Sequence, residues 1–255
     1  MRLNIDIYKK RNEGVDDIID SYCHVRSDDF SAPLINVPDG YHEFFFDLHA
    51  KRMQINQAER HPEILFLAKK VNIFIIRFTP YGLSLLADSF PVTHLKIKTG
   101  KANRSEKLVH EFAKIVFNET QVSEKIAKIE KLIQRIYSGK ILVDPITKDI
   151  SSKIILAKGS RKLGVLYDEY LLSSRQIETN FKLLTTLKPK AFAKYIRFTN
   201  ALLAKLRDPG IKLTQLSYEF GYTDQSHFIK DFKVYLGMCP GKYFRTRRFT
   251  TINCL

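Results

Sequence analysis

A chain of 255 residues that is 44% hydrophobic can bury one large core or two ordinary ones, which makes it a globular protein. Its 42 Lys and Arg against 27 Asp and Glu give a net charge of +15, a balance suited to a polyanionic partner such as nucleic acid or an anionic membrane surface. It has neither an apolar run long enough to span a bilayer nor, in MRLNIDIYKKRNEG, the apolar stretch of a secretion signal, so the expected location is the cytoplasm, with no membrane partner.

The charge is unevenly placed. Residues 151–255 hold 19 Lys and Arg against 7 Asp and Glu, whereas residues 1–150 hold 23 against 20, so the polyanion belongs to the C-terminal part. Cys23, Cys239 and Cys254 are odd in number and lack metal-ligand spacing, which predicts reduced thiols and no metal site.

In chain order, residues 30–98 alternate β-rich runs with turn residues. Phe44 to Leu48 follows Pro38-Asp39-Gly40, Ile64 to Leu67 follows His61-Pro62, and Val71 to Phe78 precedes Pro80. Tyr81 to Phe90 reads as a short helix and Val92 to Ile97 as a further strand. The aromatics Phe44, Phe45, Phe46, Phe74, Phe78 and Tyr81 read as core before they read as a ligand pocket. From Ser105 the period becomes helical. Leu108, Phe112, Ile115 and Val116 share one face, and Val122, Ile126, Ile129, Ile133 and Ile136 another, a seam expected to pack within its own domain rather than on a second copy. Residues 139–152, with Gly139 and Pro145, read as a linker, and everything after it as helical. The expected fold is α+β: a β-rich sensor or dimerisation domain over 1–138, then an all-α domain over 153–255.

That second domain repeats itself at an offset of 51 residues. Phe181-Lys182 matches Phe232-Lys233, Ile177 matches Phe228, Pro189 matches Pro240, Phe192 matches Tyr243, and Val165 matches Leu216. Ser173 with Gln176 forms a capping-box pattern opening one helix, and Thr223 or Asp224 caps its counterpart after the Gly221 turn. Two helices joined by a tight turn, the second opened by polar residues, is the layout that places a helix in the major groove. Between the copies, Pro189 to Leu206 reads as a connecting helix with Phe192, Ile196, Thr199, Leu203 and Leu206 at helical spacing. About 18 residues at about 1.5 Å each span roughly 27 Å, close to the roughly 34 Å between successive major-groove faces.

IKLTQLSYEFGYTDQSHFIKDFKVYLGMCPGKYFR resembles the signature of the AraC/XylS family of bacterial transcription regulators, and YLLSSRQIETNFKLLTTLKPKAF is similar to that family's first helix-turn-helix. The likeness runs from about Lys162 to Arg245 and does not extend to the family's sugar-binding pattern. It implies a sequence-specific transcription regulator that binds double-stranded promoter DNA with two helix-turn-helix units. The base-reading positions it implies are Arg175, Gln176 and Thr179 in the first unit, and Gln225, Ser226 and Lys230 in the second. Arg suits guanine, Gln brackets adenine and short hydroxyls reach either edge. Lys182, Arg197 and Lys233 would touch phosphates. In the first unit Tyr170 and Leu171 replace the family's turn glycine, Thr186 stands where the second unit has Gly237, and Ser217 puts a hydroxyl where the family has an apolar side chain.

Other readings carry less. A DNA-repair fusion with chemistry in the N-terminal domain would need several zinc-binding cysteines, and only Cys23 lies in the first 238 residues, so no enzyme, catalytic residue or cofactor is expected. A DNA binder without sequence preference is the remaining alternative. A small-molecule effector at the N-terminal domain, a second copy of the chain and RNA polymerase are further partners that the sequence leaves open.

Overall fold

The structure, a computed structural model, describes residues 3–9, 15–29, 34–56, 58, 63–66, 70–86, 104–136, 144–246 and 250–252. The Val92 to Ile97 strand, the end of the Tyr81 to Phe90 helix and the first part of the linker lie outside these residues. Among the described residues no helix is long and apolar enough to cross a membrane.

The N-terminal region is built on a five-stranded antiparallel sheet of β1 (Asn4–Tyr8), β2 (Ile19–Ser27), β7 (Val71–Phe78), β4 (Glu43–Asp47) and β5 (Arg52–Asn56), in the spatial order β1-β2-β7-β4-β5. Alternation sends Tyr22, Phe44, Phe46, Phe74, Ile76 and Phe78 to one face. There they meet Phe112 and Val116 of α2 (Arg104–Asn118) and Ile129, Leu132 and Ile133 of α3 (Val122–Ile136), so the seam on α3 is core of its own domain. Tyr81 joins the same cluster beside the short α1 (Gly82–Leu85). Phe45 packs on the other face with Cys23, Val25, Ile73 and Ile75, so all six aromatics named above are core.

Three features depart from the sequence reading. Cys23 is disulfide-bonded rather than reduced, whereas Cys239 is free and exposed. Residues from 145 onward are helix, not linker: Asp144 accepts the Thr147 N–H at 3.0 Å and Pro145 occupies the first turn of α4 (Pro145–Leu156). Nor is everything after it helical. β8 (Thr250–Ile252) runs back and pairs in parallel with β3 (Leu34–Asn36), which also pairs with β6 (Glu63–Phe66), making a second, three-stranded sheet.

The helical part holds two cores. Ile150 and Ile154 of α4 cluster with Leu166, Ile177, Phe181, Phe192 and Ile196. Phe198, Ala201, Leu202, Leu216, Phe228, Phe232 and Tyr243 form the other. One helix, α7 (Pro189–Arg207), supplies residues to both, with Ala201 and Leu202 carrying the burial that its spacing had assigned to Leu203 and Leu206.

The segment 37–42 of the N-terminal region docks on α7. Val37 enters the second core and Tyr41 the first, and Thr199 Oγ1 donates to the Pro38 carbonyl at 3.4 Å. Gly40 has φ +86°, and a Cβ there would lie 2.7 Å from the Phe192 ring, so both conformation and space require glycine. Behind the segment sits Arg77, which is 0% exposed. Its Nη1 lies 2.7 Å from both Asp39 Oδ2 and Glu43 Oε1, and its guanidinium 3.7 Å from the Tyr41 ring centroid. Burial works to lower the guanidinium pKa, but the fields of Asp39, Glu43, Tyr41 and Asp20 outweigh it and raise it, so the charge is kept.

Removing Arg77 takes the buried cation away from Asp39 and Glu43. An R77M variant is expected to lose about 3–5 kcal/mol of stability in urea unfolding; a loss below about 1 kcal/mol would count against the cluster as a fastening. His42, fully buried and hydrogen-bonded to the Thr185 backbone, has its pKa lowered to about 4, chiefly by desolvation. The unfolded chain then binds the extra proton between about pH 6.5 and 4, so stability falls by about 3 kcal/mol as pH drops through that window. His42→Asn should flatten this part of the pH profile of the melting temperature.

Candidate nucleic-acid interface

Each helical core supports a pair of helices joined by a turn. In the first unit α5 (Leu163–Tyr167) leads into α6 (Ser174–Thr185), and in the second α8 (Leu213–Glu219) leads into α9 (Gln225–Leu236). The long members are 12 residues each. α6 starts at a full capping box, with Ser173 Oγ accepting from the Gln176 backbone and the Gln176 side chain accepting from Ser173. α9 starts at Asp224, whose carboxylate accepts the His227 N–H at 2.8 Å. Both caps leave a polar helix N-terminus facing outward.

The repeat persists with one correction. Ile177 and Phe228, Phe181 and Phe232, and Phe192 and Tyr243 are buried as pairs, and Pro189 and Pro240 each open a helix. Val165, however, is 57% exposed, and Leu166 is the residue fully buried like Leu216. The short helices are therefore related by 50 residues and the long ones by 51. Leu216 and Phe232 are accordingly one residue further apart than Leu166 and Phe181, and Gly221, in the second turn, has φ +71°. Tyr170 and Leu171, in the first turn, have no positive φ; the Tyr170 hydroxyl instead donates to Asp149 of α4 at 2.6 Å, and Leu171 is fully exposed. The expected strain lies at the other end of α6. Thr186 has φ +67°, matching Gly237 at +68°, and a β-branched residue in that region is an outlier. The buried Ser217 hydroxyl finds its partner in the Leu213 carbonyl at 2.7 Å.

Arg175, Gln176, Thr179 and Lys182 are all exposed along α6, as are Ser226, Lys230 and Lys233 along α9, with Gln225 half-buried. Gln176 is held in the capping box, Thr179 donates to the Arg175 carbonyl at 2.8 Å, and Gln225 accepts from Thr214 at 2.8 Å. Arg197 is placed differently: its Nη1 donates to the Gly221 carbonyl at 2.9 Å and its guanidinium lies 5.1 Å from the Tyr222 ring centroid. It fastens α7 to the second turn. Lys162 and Lys212, both exposed at the N-termini of α5 and α8, form a matched pair of cations that an offset of 51 does not align, because they are 50 apart. Among the described residues no cluster of His, Cys, Asp and Glu could hold a metal ion.

Residues 166–246 match a family model described as a helix-turn-helix domain. This segment is an AraC-type helix-turn-helix domain. With it, the chain is a DNA-binding transcription regulator. No curated protein matches the chain. Among solved structures, an apo form of ToxT from Vibrio cholerae strain SCE256 is similar at 13% identity and TM-score 0.40, covering 95% of this chain and 97% of its own. ToxT from Vibrio cholerae O395 is similar at 16% identity and TM-score 0.39, covering 96% of each chain. Unsaturated fatty acid bound ToxT from strain SCE256 gives 14% identity and TM-score 0.36, over 95% of this chain and 94% of that one.

The left-handed Thr186 of the AraC-type domain gives a direct stability test. Thr186→Gly is expected to raise stability by about 1 kcal/mol and Gly237→Thr to lower it by at least as much, read as shifts in the melting temperature.

Proposed function

We propose that the protein reads DNA sequence through two successive major grooves, α6 entering one and α9 the next. The observation that carries this reading is that two capped helices of equal length are packed against opposite ends of a single helix, α7. Its 19 residues correspond to about 28 Å, commensurate with one turn of duplex. The excess of positive charge in this part of the chain supplies the phosphate attraction, with Lys182 and Lys233 at matched positions on the two helices.

In this reading Arg175, Gln176, Thr179, Gln225, Ser226 and Lys230 face base edges. The region up to residue 138 acts as the control and dimerisation unit, coupled to the DNA-binding part through segment 37–42, with a small-molecule effector as its natural input. Action by binding leaves no place for catalysis. The cytoplasm is the compartment where such a protein meets promoter DNA and RNA polymerase.

Selection of bound duplexes from a random pool should enrich one motif with two half-sites centred about 10 base pairs apart. Equal binding to all duplexes would sink sequence specificity. Lys230→Ala should weaken binding to the selected site by about tenfold, and Thr179→Ala by no more than about threefold, because the Thr179 hydroxyl already spends its hydrogen on Arg175.

A further inference from the structure

The sequence pattern assigns the two recognition glutamines to adenine, which a glutamine grips by accepting from N6 and donating to N7. In the folded chain the accepting half of each amide is engaged inside the protein. Gln176 Oε1 takes the Ser173 backbone N–H at 3.0 Å and the Ser173 hydroxyl at 2.7 Å, which fills both of its lone pairs. The backbone donor also fixes the orientation of that amide, since an N–H can face only the oxygen. Gln225 Oε1 takes the Thr214 hydroxyl at 2.8 Å. The neighbouring carboxylates, which could accept from cytosine N4, are engaged too: Asp224 on the His227 N–H at 2.8 Å and Glu178 on Lys188 at 3.2 Å.

What remains outward on both helices is donors. Gln176 and Gln225 keep their amide NH2 groups, and Arg175 and Lys230 are exposed cations. Thr179, whose hydroxyl gives its hydrogen to the Arg175 carbonyl and so presents lone pairs, and the exposed Asn180 and Ser226, which can accept as well as donate, are exceptions. In the major groove only guanine offers two acceptors side by side, N7 and O6, whereas adenine pairs one acceptor with a donor. On adenine the donor-only amide of Gln176 meets a repulsive N6 amino group, and the Gln225 amide, with one oxygen lone pair taken by Thr214, is a weakened acceptor; on guanine each NH2 group faces two acceptors.

We propose that Gln176 and Gln225 are guanine-selecting residues, turned from adenine by Ser173 and Thr214, which act as positioning residues. This rests on the reading of α6 and α9 as recognition helices. The two sites are symmetric in chemistry but not in origin. In the first unit the helix cap itself occupies the oxygen; in the second a hydroxyl reaches across from α8.

The test is random-duplex selection with the full-length wild type, Gln176→Glu and Thr214→Val, alongside their melting temperatures. Glutamate preserves the accepting oxygen of the capping box and removes the NH2, and Thr214 is exposed, so both variants should melt like the wild type. The wild type should show about a tenfold preference for guanine over adenine at one position of each half-site. Gln176→Glu should reduce that preference to less than about twofold at its own position only. Thr214→Val should release the Gln225 oxygen and lower the guanine-to-adenine ratio at the other position by about fivefold or more. A clear wild-type motif with adenine at those positions, or a motif that neither variant alters, overturns the proposal while sequence-specific reading stands. No motif for the wild type overturns both. A variant that melts far below the wild type is replaced at the same position by Gln176→Met or Thr214→Ala and scored by the same two criteria.

Discussion

The buried guanidinium of Arg77 is the interaction on which the arrangement depends. A charge with no exposure to water is tolerable only where carboxylates and an aromatic face replace its hydration, and Asp39, Glu43 and Tyr41 do this together. Two of those three partners, Asp39 and Tyr41, lie in the segment that docks on α7, and Glu43 directly follows it. The cost of leaving the cation unpaired therefore holds the segment in place, and the segment in turn puts Val37 and Tyr41 into two different cores. Electrostatics inside the sheet is thereby converted into hydrophobic packing between the two helix-turn-helix units. Any change at the sheet that loosens the carboxylates also removes side chains from the DNA-binding domain, a physical route by which the N-terminal region can influence the other.

α7 makes that influence common to both units. The halves of this helix belong to separate cores, yet a helix of this length bends little, so the units move with it or not at all. Arg197 reinforces the connection by holding the carbonyl of Gly221, and Gly40 allows the Phe192 ring to approach the docked backbone. Rigid spacing suits a target whose own repeat is fixed by the duplex.

The parts legible in the sequence were those set by local periodicity and capping. The pairs Phe181 with Phe232 and Pro189 with Pro240 announced the duplicated module, and Ser173 with Gln176 announced a helix start that the structure reproduces atom by atom. β4, β6 and β7 were marked by alternation between turn residues, whereas β1, with exposed Ile5 and Ile7, carries too little contrast between its faces to be seen. Asp144-Pro145 carries two meanings in sequence: proline suits a linker, but the same dipeptide is a cap followed by a first helical turn, and the fold uses the second. Long-range facts were out of reach: the pairing of Arg77 with Asp39, the inward role of Arg197 and the parallel partner of β3 join residues far apart in sequence, and no local pattern encodes them. For the candidate interface, the sequence gives residue types, but which amide atoms remain available depends on neighbours that only folding supplies.

The pairing of β8 with β3 also bears on how the protein is made. Residues 34–36 leave the ribosome early, but one of their two strand partners is residues 250–252, which emerge after the entire DNA-binding domain. The smaller sheet therefore waits, with one edge open, until residues 250–252 have been made, and the β3 edge is exposed to pairing with other nascent chains for that interval. Completion of the N-terminal region thus reports that the helices between the two strands have already been translated, so a truncated product would lack the third strand as well as the missing helices.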